Sequence, residues 1–114
     1  ERVIHHEIFH IINDQYKELF NEEDWNKFNP SNFTYAKCST CSERLGLDTY
    51  AKKKGFFTEY SKSTASEDMA EVYSHLIFFD NKKIKEIRNS DIILNKKISY
   101  IENKIKLIDN SFKF

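Results

Sequence analysis

Glycine and proline are nearly missing from this sequence: its 114 residues include two of the first and one of the second. So few of either leaves little material for tight turns, and the expected fold class is mainly α. Cysteine is almost as scarce. The two present make one pair, and a four-cysteine zinc knuckle needs a second. No charge of either sign is in excess, since 18 basic residues offset 18 acidic ones. That argues against a general nucleic-acid or membrane-surface binder, which would carry a basic surplus. No apolar run approaches the ~20 residues of a transmembrane helix, so no membrane span is expected. No signal peptide is visible either. Valine and alanine are sparse, and ten Phe and six Tyr must supply much of the core. The length suits one domain, residues 1–114.

What the chain does have stands almost at its start. His6-Glu7-Ile8-Phe9-His10 is an H-E-x-x-H run. On a helix, residues four apart share a face, about 6 Å apart along the axis, and two imidazoles so placed can reach one metal ion. Glu7, one residue after His6, projects beside such a metal. That suits a carboxylate that takes a proton from a metal-activated water. No Gly or Pro interrupts Arg2 to Asn13, and Ile4, Ile8, Ile11 and Ile12 recur at helical spacing, an apolar stripe on the side opposite the histidines. Two histidines at this spacing also occur as a surface accident or a satisfied core pair. The first helix is expected from about Arg2 to Phe20. Because the sequence opens directly on it, the chain is expected to be the C-terminal portion of a longer protein.

Asp24 to Pro30 reads as a short helical turn stopped by the proline, and Phe33-Thr34-Tyr35 as a brief extended segment. The aromatics Trp25, Phe28, Phe33 and Tyr35 are expected to form a packed wall on the first helix rather than a substrate pocket. Cys38 and Cys41 form a C-x-x-C pair. Without a βαβ setting or further cysteines they read as two free or mutually bridged loop thiols, with pairing to cysteines before Glu1 left open. Leu45 to Lys54 is loop-like, with Gly46 and Gly55 as turn points.

A second important segment is Tyr60 to Glu71. Thr64 or Ser66 can cap a helix whose first turn carries Glu67 and Asp68 at its positive end. Met69, Val72, Tyr73, Leu76, Ile77 and Phe79 give it an apolar face and an end near Phe79. Glu67, Glu71 and His75, four apart, share another side. Alone, that side reads as a solvated acidic turn; downstream of H-E-x-x-H, a helical glutamate is a natural third metal ligand. Ile84 and Ile87 mark a short helix. Ser90 or Asp91 can cap a longer one through Leu94, Ile98, Ile101, Ile105 and Ile108, read as a structural brace rather than a partner-binding coiled coil, which needs more than the roughly two heptads present.

Taken together, His6-Glu7-x-x-His10 and Tyr60-x6-Glu67-x3-Glu71 resemble the gluzincin metallopeptidases. More narrowly they resemble the catalytic domain of anthrax lethal factor and the bacterial putative zinc-binding metallopeptidases related to it. The resemblance implies that zinc is the cofactor and that His6, His10 and Glu67 are its ligands. It implies that Glu7 is the general base, that Tyr60 donates a hydrogen bond to the oxyanion, and that Glu71 orients a ligand histidine from outside the ligand set. It also implies a zincin-like domain whose β-sheet lies before Glu1, a protein or peptide substrate, and, by analogy, secretion or the cell envelope. The Cys pair and the long gap between His10 and Glu67 have no match in it.

Two classes of function follow. One is a zinc-dependent endopeptidase that hydrolyses peptide bonds through a zinc-activated water. The other is a zincin-like domain that binds metal or a partner without turnover. An intact Glu7 favours the first.

Overall fold

The computed structural model describes residues 2–36 and 55–109. Among them are five α-helices, one 3-10 turn and no strand, so the mainly α expectation holds. The helices are α1 (Arg2–Gln15), α2 (Glu22–Asn26), α3 (Ala65–Phe78), α4 (Asn81–Ser90) and α5 (Ile92–Ile108), with the 3-10 turn at Tyr60–Lys62. Cys38, Cys41, Gly46 and the stretch to Lys54 lie outside the described residues. No described helix is long and apolar enough to cross a membrane.

Local side chains set where four helices begin. Asn21, Thr64, Asp80 and Asp91 each accept a hydrogen bond from the backbone N–H three residues on, at 2.8–3.0 Å. Each cap satisfies a donor that the helix cannot and is worth about 1 kcal/mol.

The centre of the molecule is α3. It is buried from Asp68 through Leu76 and packs against α1, α2, α5 and the 3-10 turn, while α4 packs on α5. Small Ala70, fully buried, suits close approach at this centre. Phe9, Phe20, Trp25, Phe57, Met69, Val72 and Tyr73 form one core with Leu94, Ile98, Ile101 and Ile105 of α5. Trp25 and Phe28 stand edge-on to Tyr100 of α5, and Trp25 and Tyr35 donate to Asp68 of α3, so the aromatic wall is built on α5 and α3 rather than on the first helix as expected.

Three further expectations need correction. Helix α1 ends at Gln15, not Phe20: the chain tightens at Tyr16, whose carbonyl accepts from Leu19 N–H at 3.0 Å. The turn brings Phe20 edge-on to Phe9, ring centroids 5.1 Å apart, and that burial outweighs helix continuation. The isoleucine stripe is not the core face of α1. Ile4, Ile8 and Ile11 are 57%, 37% and 61% exposed, and the helix is anchored instead through Phe9 and, in part, Ile12. Phe33 to Tyr35 is irregular rather than a strand, beginning with a turn in which Phe33 N–H meets the Pro30 carbonyl at 2.9 Å.

Candidate metal centre

The packing of α1 on α3 brings two histidines of one helix against a glutamate of the other. His6 Nε2 and His10 Nε2 lie 3.2 Å apart. Glu67 Oε1 closes the triangle at 2.8 Å from the first and 2.7 Å from the second. Glu67 can occupy this place because Thr64 caps its N–H and fixes the first turn of α3. The turn is not a solvated acidic one, since the Glu67 side chain is only 15% exposed. Its other oxygen, Oε2, accepts from the Tyr60 hydroxyl at 2.9 Å.

Glu71, one helical turn on, stands behind His6. Its Oε2 accepts from His6 Nδ1 at 2.7 Å and from the Arg2 guanidinium at 2.8 Å, and its Oε1 accepts from the Thr58 hydroxyl at 2.8 Å. A carboxylate on Nδ1 fixes the ring orientation and leaves Nε2 aimed into the triangle. His10 has a looser partner, Ser66 Oγ at 3.4 Å from its Nδ1. His75 shares the helical side of Glu67 and Glu71 but is used structurally. Its Nδ1 donates to the Glu71 carbonyl at 2.7 Å, and its ring stacks on Phe57 with centroids 4.4 Å apart.

The charges answer to this arrangement. Burial opposes a charge on His6, yet its hydrogen bonds to the Glu67 and Glu71 carboxylates prevail and raise its pKa to about 9. Burial also opposes a charge on Glu71, but His6, Thr58 and Arg2 hold its carboxyl down at about 2. The same contest on Glu67, won by His10, His6 and Tyr60, leaves its carboxyl well below the usual range. Burial keeps His75 neutral, with a pKa of about 4.

Glu7 is exposed beside this cluster. His6, Glu7 and His10 can each offer a donor atom with all three within 4.8 Å of one another. The His6–His10–Glu67 triangle is tighter, with edges of 2.7–3.2 Å. A groove of about 440 Å³ opens beside His10, lined also by Asn13, Lys17, Phe20, Glu22 and Ser66.

The structure thus brings all six of the residues singled out in the sequence, His6, Glu7, His10, Tyr60, Glu67 and Glu71, to one place. Sequence reasoning missed Arg2, Thr58 and Lys97, and read Asp68 only as a charge in the first turn of its helix, whereas it is fully buried. Arg2 stands four before His6, which is a usable signal. Lys97 stands three after Leu94 and four before Ile101, on the apolar side of its helix, which is another. Thr58 carried no signal. Lys97 and Asp68 form a fully buried pair at 2.8 Å, and Asp68 Oδ2 also accepts from Tyr35 at 2.6 Å and Trp25 at 3.1 Å. Burial pushes the Asp68 carboxyl up and the Lys97 ammonium down, while each partner pulls the other back toward its charged form.

Residues 1–113 match the model of one family, described as putative zinc-binding metallo-peptidase. Among curated proteins and among solved structures nothing matches the chain.

Proposed function

The chain belongs to the family of putative zinc-binding metallo-peptidases, and from that premise we propose that it is a zinc-dependent endopeptidase of the gluzincin type. The observation that carries the proposal is the triangle of His6 Nε2, His10 Nε2 and Glu67 Oε1, with edges of 2.7–3.2 Å. Donors of a tetrahedral zinc site with bonds of about 2.0–2.1 Å stand roughly 3.3 Å apart, and two imidazoles with one carboxylate are a donor set of catalytic zinc that leaves a fourth position open. The residues present fit the metal. The spacing of Tyr60, Glu67 and Glu71 behind H-E-x-x-H supports the narrower likeness to the lethal factor catalytic domain.

Zinc, when bound, supplies a Lewis acid that makes water a nucleophile near neutral pH and polarises a peptide carbonyl. The protein's own residues do the rest. Glu7, exposed beside the donor set, takes the proton from the attacking water and passes it to the departing amine. The Tyr60 hydroxyl, whose single O–H points to Glu67 Oε2 at 2.9 Å, turns from that carboxylate to donate to the oxyanion as the carbonyl carbon becomes tetrahedral. Glu71, held by Arg2 and Thr58, keeps His6 in the tautomer that directs Nε2 inward. The groove beside His10 gives part of a protein or peptide substrate a place to lie.

Elemental analysis of the purified protein tests the proposal. One zinc per chain is expected, and His6→Ala or His10→Ala should lose most of it. Full zinc in both variants refutes the site.

A further inference from the structure

Helix α5 grips the site from behind. Lys97 Nζ donates to Asp68 Oδ2 at 2.8 Å and to the Gly55 carbonyl at 2.7 Å. Asp91, the N-cap of the same helix, accepts from Gly55 N–H at 2.6 Å. Two side chains of one helix therefore hold both backbone polar groups of Gly55. The grip is close. Gly55 has φ +88°, and a Cβ there would meet Ile93 Cγ2 of α5 at 2.8 Å. Lys97 also lies 3.9 Å from the ring centroid of Phe56, the next residue.

What Gly55 leads into is the segment that carries Thr58 and Tyr60, the partners of Glu71 and Glu67. What Asp68 adjoins is Glu67 itself. Lys97 therefore touches the start of one site-bearing element and the first turn of the other.

We infer that Lys97 and Asp91 are positioning residues: they clamp the segment from Gly55 to Lys62 against the first turn of α3, and so set Tyr60 against Glu67. The inference rests on the reading of Glu67 as a metal ligand and Tyr60 as an oxyanion donor. Stability alone does not account for a fully buried ion pair, because well-packed apolar residues of similar volume serve stability as well or better. Directional hydrogen bonds fix a distance between two elements in a way that apolar packing does not.

The test begins on the metal-free protein, with tyrosine labelled at the ring carbon that bears the hydroxyl. The Tyr60 resonance, identified by its loss in Tyr60→Phe, reports the bond to Glu67. Lys97→Met/Asp68→Asn removes both charges together and strands neither. Asp91→Asn keeps a helix cap but weakens the hold on Gly55. Both variants should keep wild-type helicity by circular dichroism and shift the Tyr60 resonance, the double variant more. Zinc affinity of the double variant should fall on the order of tenfold. A folded double variant with wild-type Tyr60 resonance and wild-type zinc affinity overturns the inference. If the double variant does not fold, an unmoved Tyr60 resonance in Asp91→Asn overturns it instead. Should the wild-type protein bind no zinc, the metal reading falls, and the Tyr60 resonance still decides whether the clamp positions that residue.

Discussion

Glu71 Oε2 lies 2.7 Å from His6 Nδ1, and the Glu71 side chain is 1% exposed. On the far side of the same ring, His6 Nε2 faces Glu67 Oε1 at 2.8 Å. One imidazole is thus held between two carboxylates with different work: one meets the nitrogen aimed at the donor triangle, the other meets the nitrogen aimed away from it.

That difference predicts a ranking. Glu67→Ala removes a donor atom from the triangle and should abolish most zinc binding. Glu71→Ala only frees the His6 ring and should weaken affinity by about 10–100-fold, as losses of such outer partners do. Competition against a chelator of known affinity measures both. A larger loss in Glu71→Ala than in Glu67→Ala would place the wrong glutamate in the ligand set.

The charge on His6 predicts how zinc binding depends on pH. With a pKa raised to about 9, His6 holds a proton at neutral pH that zinc must displace. Apparent affinity should therefore climb about tenfold per pH unit from pH 7 and flatten above about 9. Isothermal titration in buffers of different ionisation enthalpy should show a proton released. Affinity independent of pH over this range would contradict the prediction.

The same groups shape the stability of the metal-free protein. His6 is raised from 6.5 to about 9, so its contribution is fully present below 6.5 and is lost as pH rises through about 9. Glu71 is lowered from 4.5 to about 2, so its contribution is present above 4.5 and is lost as pH falls through about 2. Between these limits the urea midpoint of the metal-free protein should be highest. In Glu71→Gln the acid-side loss should shrink; an unchanged acid limb would show that Glu71 is not its source.

Lys97→Met made alone should be costly. It leaves the Asp68 carboxylate fully buried without its ammonium partner, an arrangement that typically costs 3–5 kcal/mol, on the order of a quarter or more of a small domain's stability. Urea unfolding measures the loss. Lys97→Met/Asp68→Asn should recover much of it, and a double variant no better than the single one would show that the stranded charge is not the cause.

Much of the site was legible because its chemistry is local. The His6–His10 spacing, the Thr64 cap and the Glu67–Glu71 step are each set within one helical turn. The end of α3 near Phe79 followed from equally short-range rules, whereas the caps were each narrowed only to two residues, of which the structure uses Thr64 rather than Ser66 and Asp91 rather than Ser90. The misread parts depend on which face meets which neighbour. Periodicity found the isoleucine stripe of α1 but could not show that Phe9 and the histidine side face α3. Lys97 was passed over because lysine is almost never fully buried without a partner, and Asp68, 29 residues away, is invisible as that partner from spacing alone. The hold on Gly55 is likewise a long-range contact with no trace in composition.

The central claim is that the His6–His10–Glu67 centre performs hydrolysis with Glu7 as base. Glu7→Gln tests it most directly, because it preserves shape and removes only the base. Turnover of an unbiased peptide library should be measured for the wild-type protein and this variant at matched zinc content. The account predicts that Glu7→Gln retains its fold and one zinc per chain while its rate falls by about 10² to 10⁴. Equal cleavage by the two proteins, or none by a zinc-loaded wild type, would contradict it.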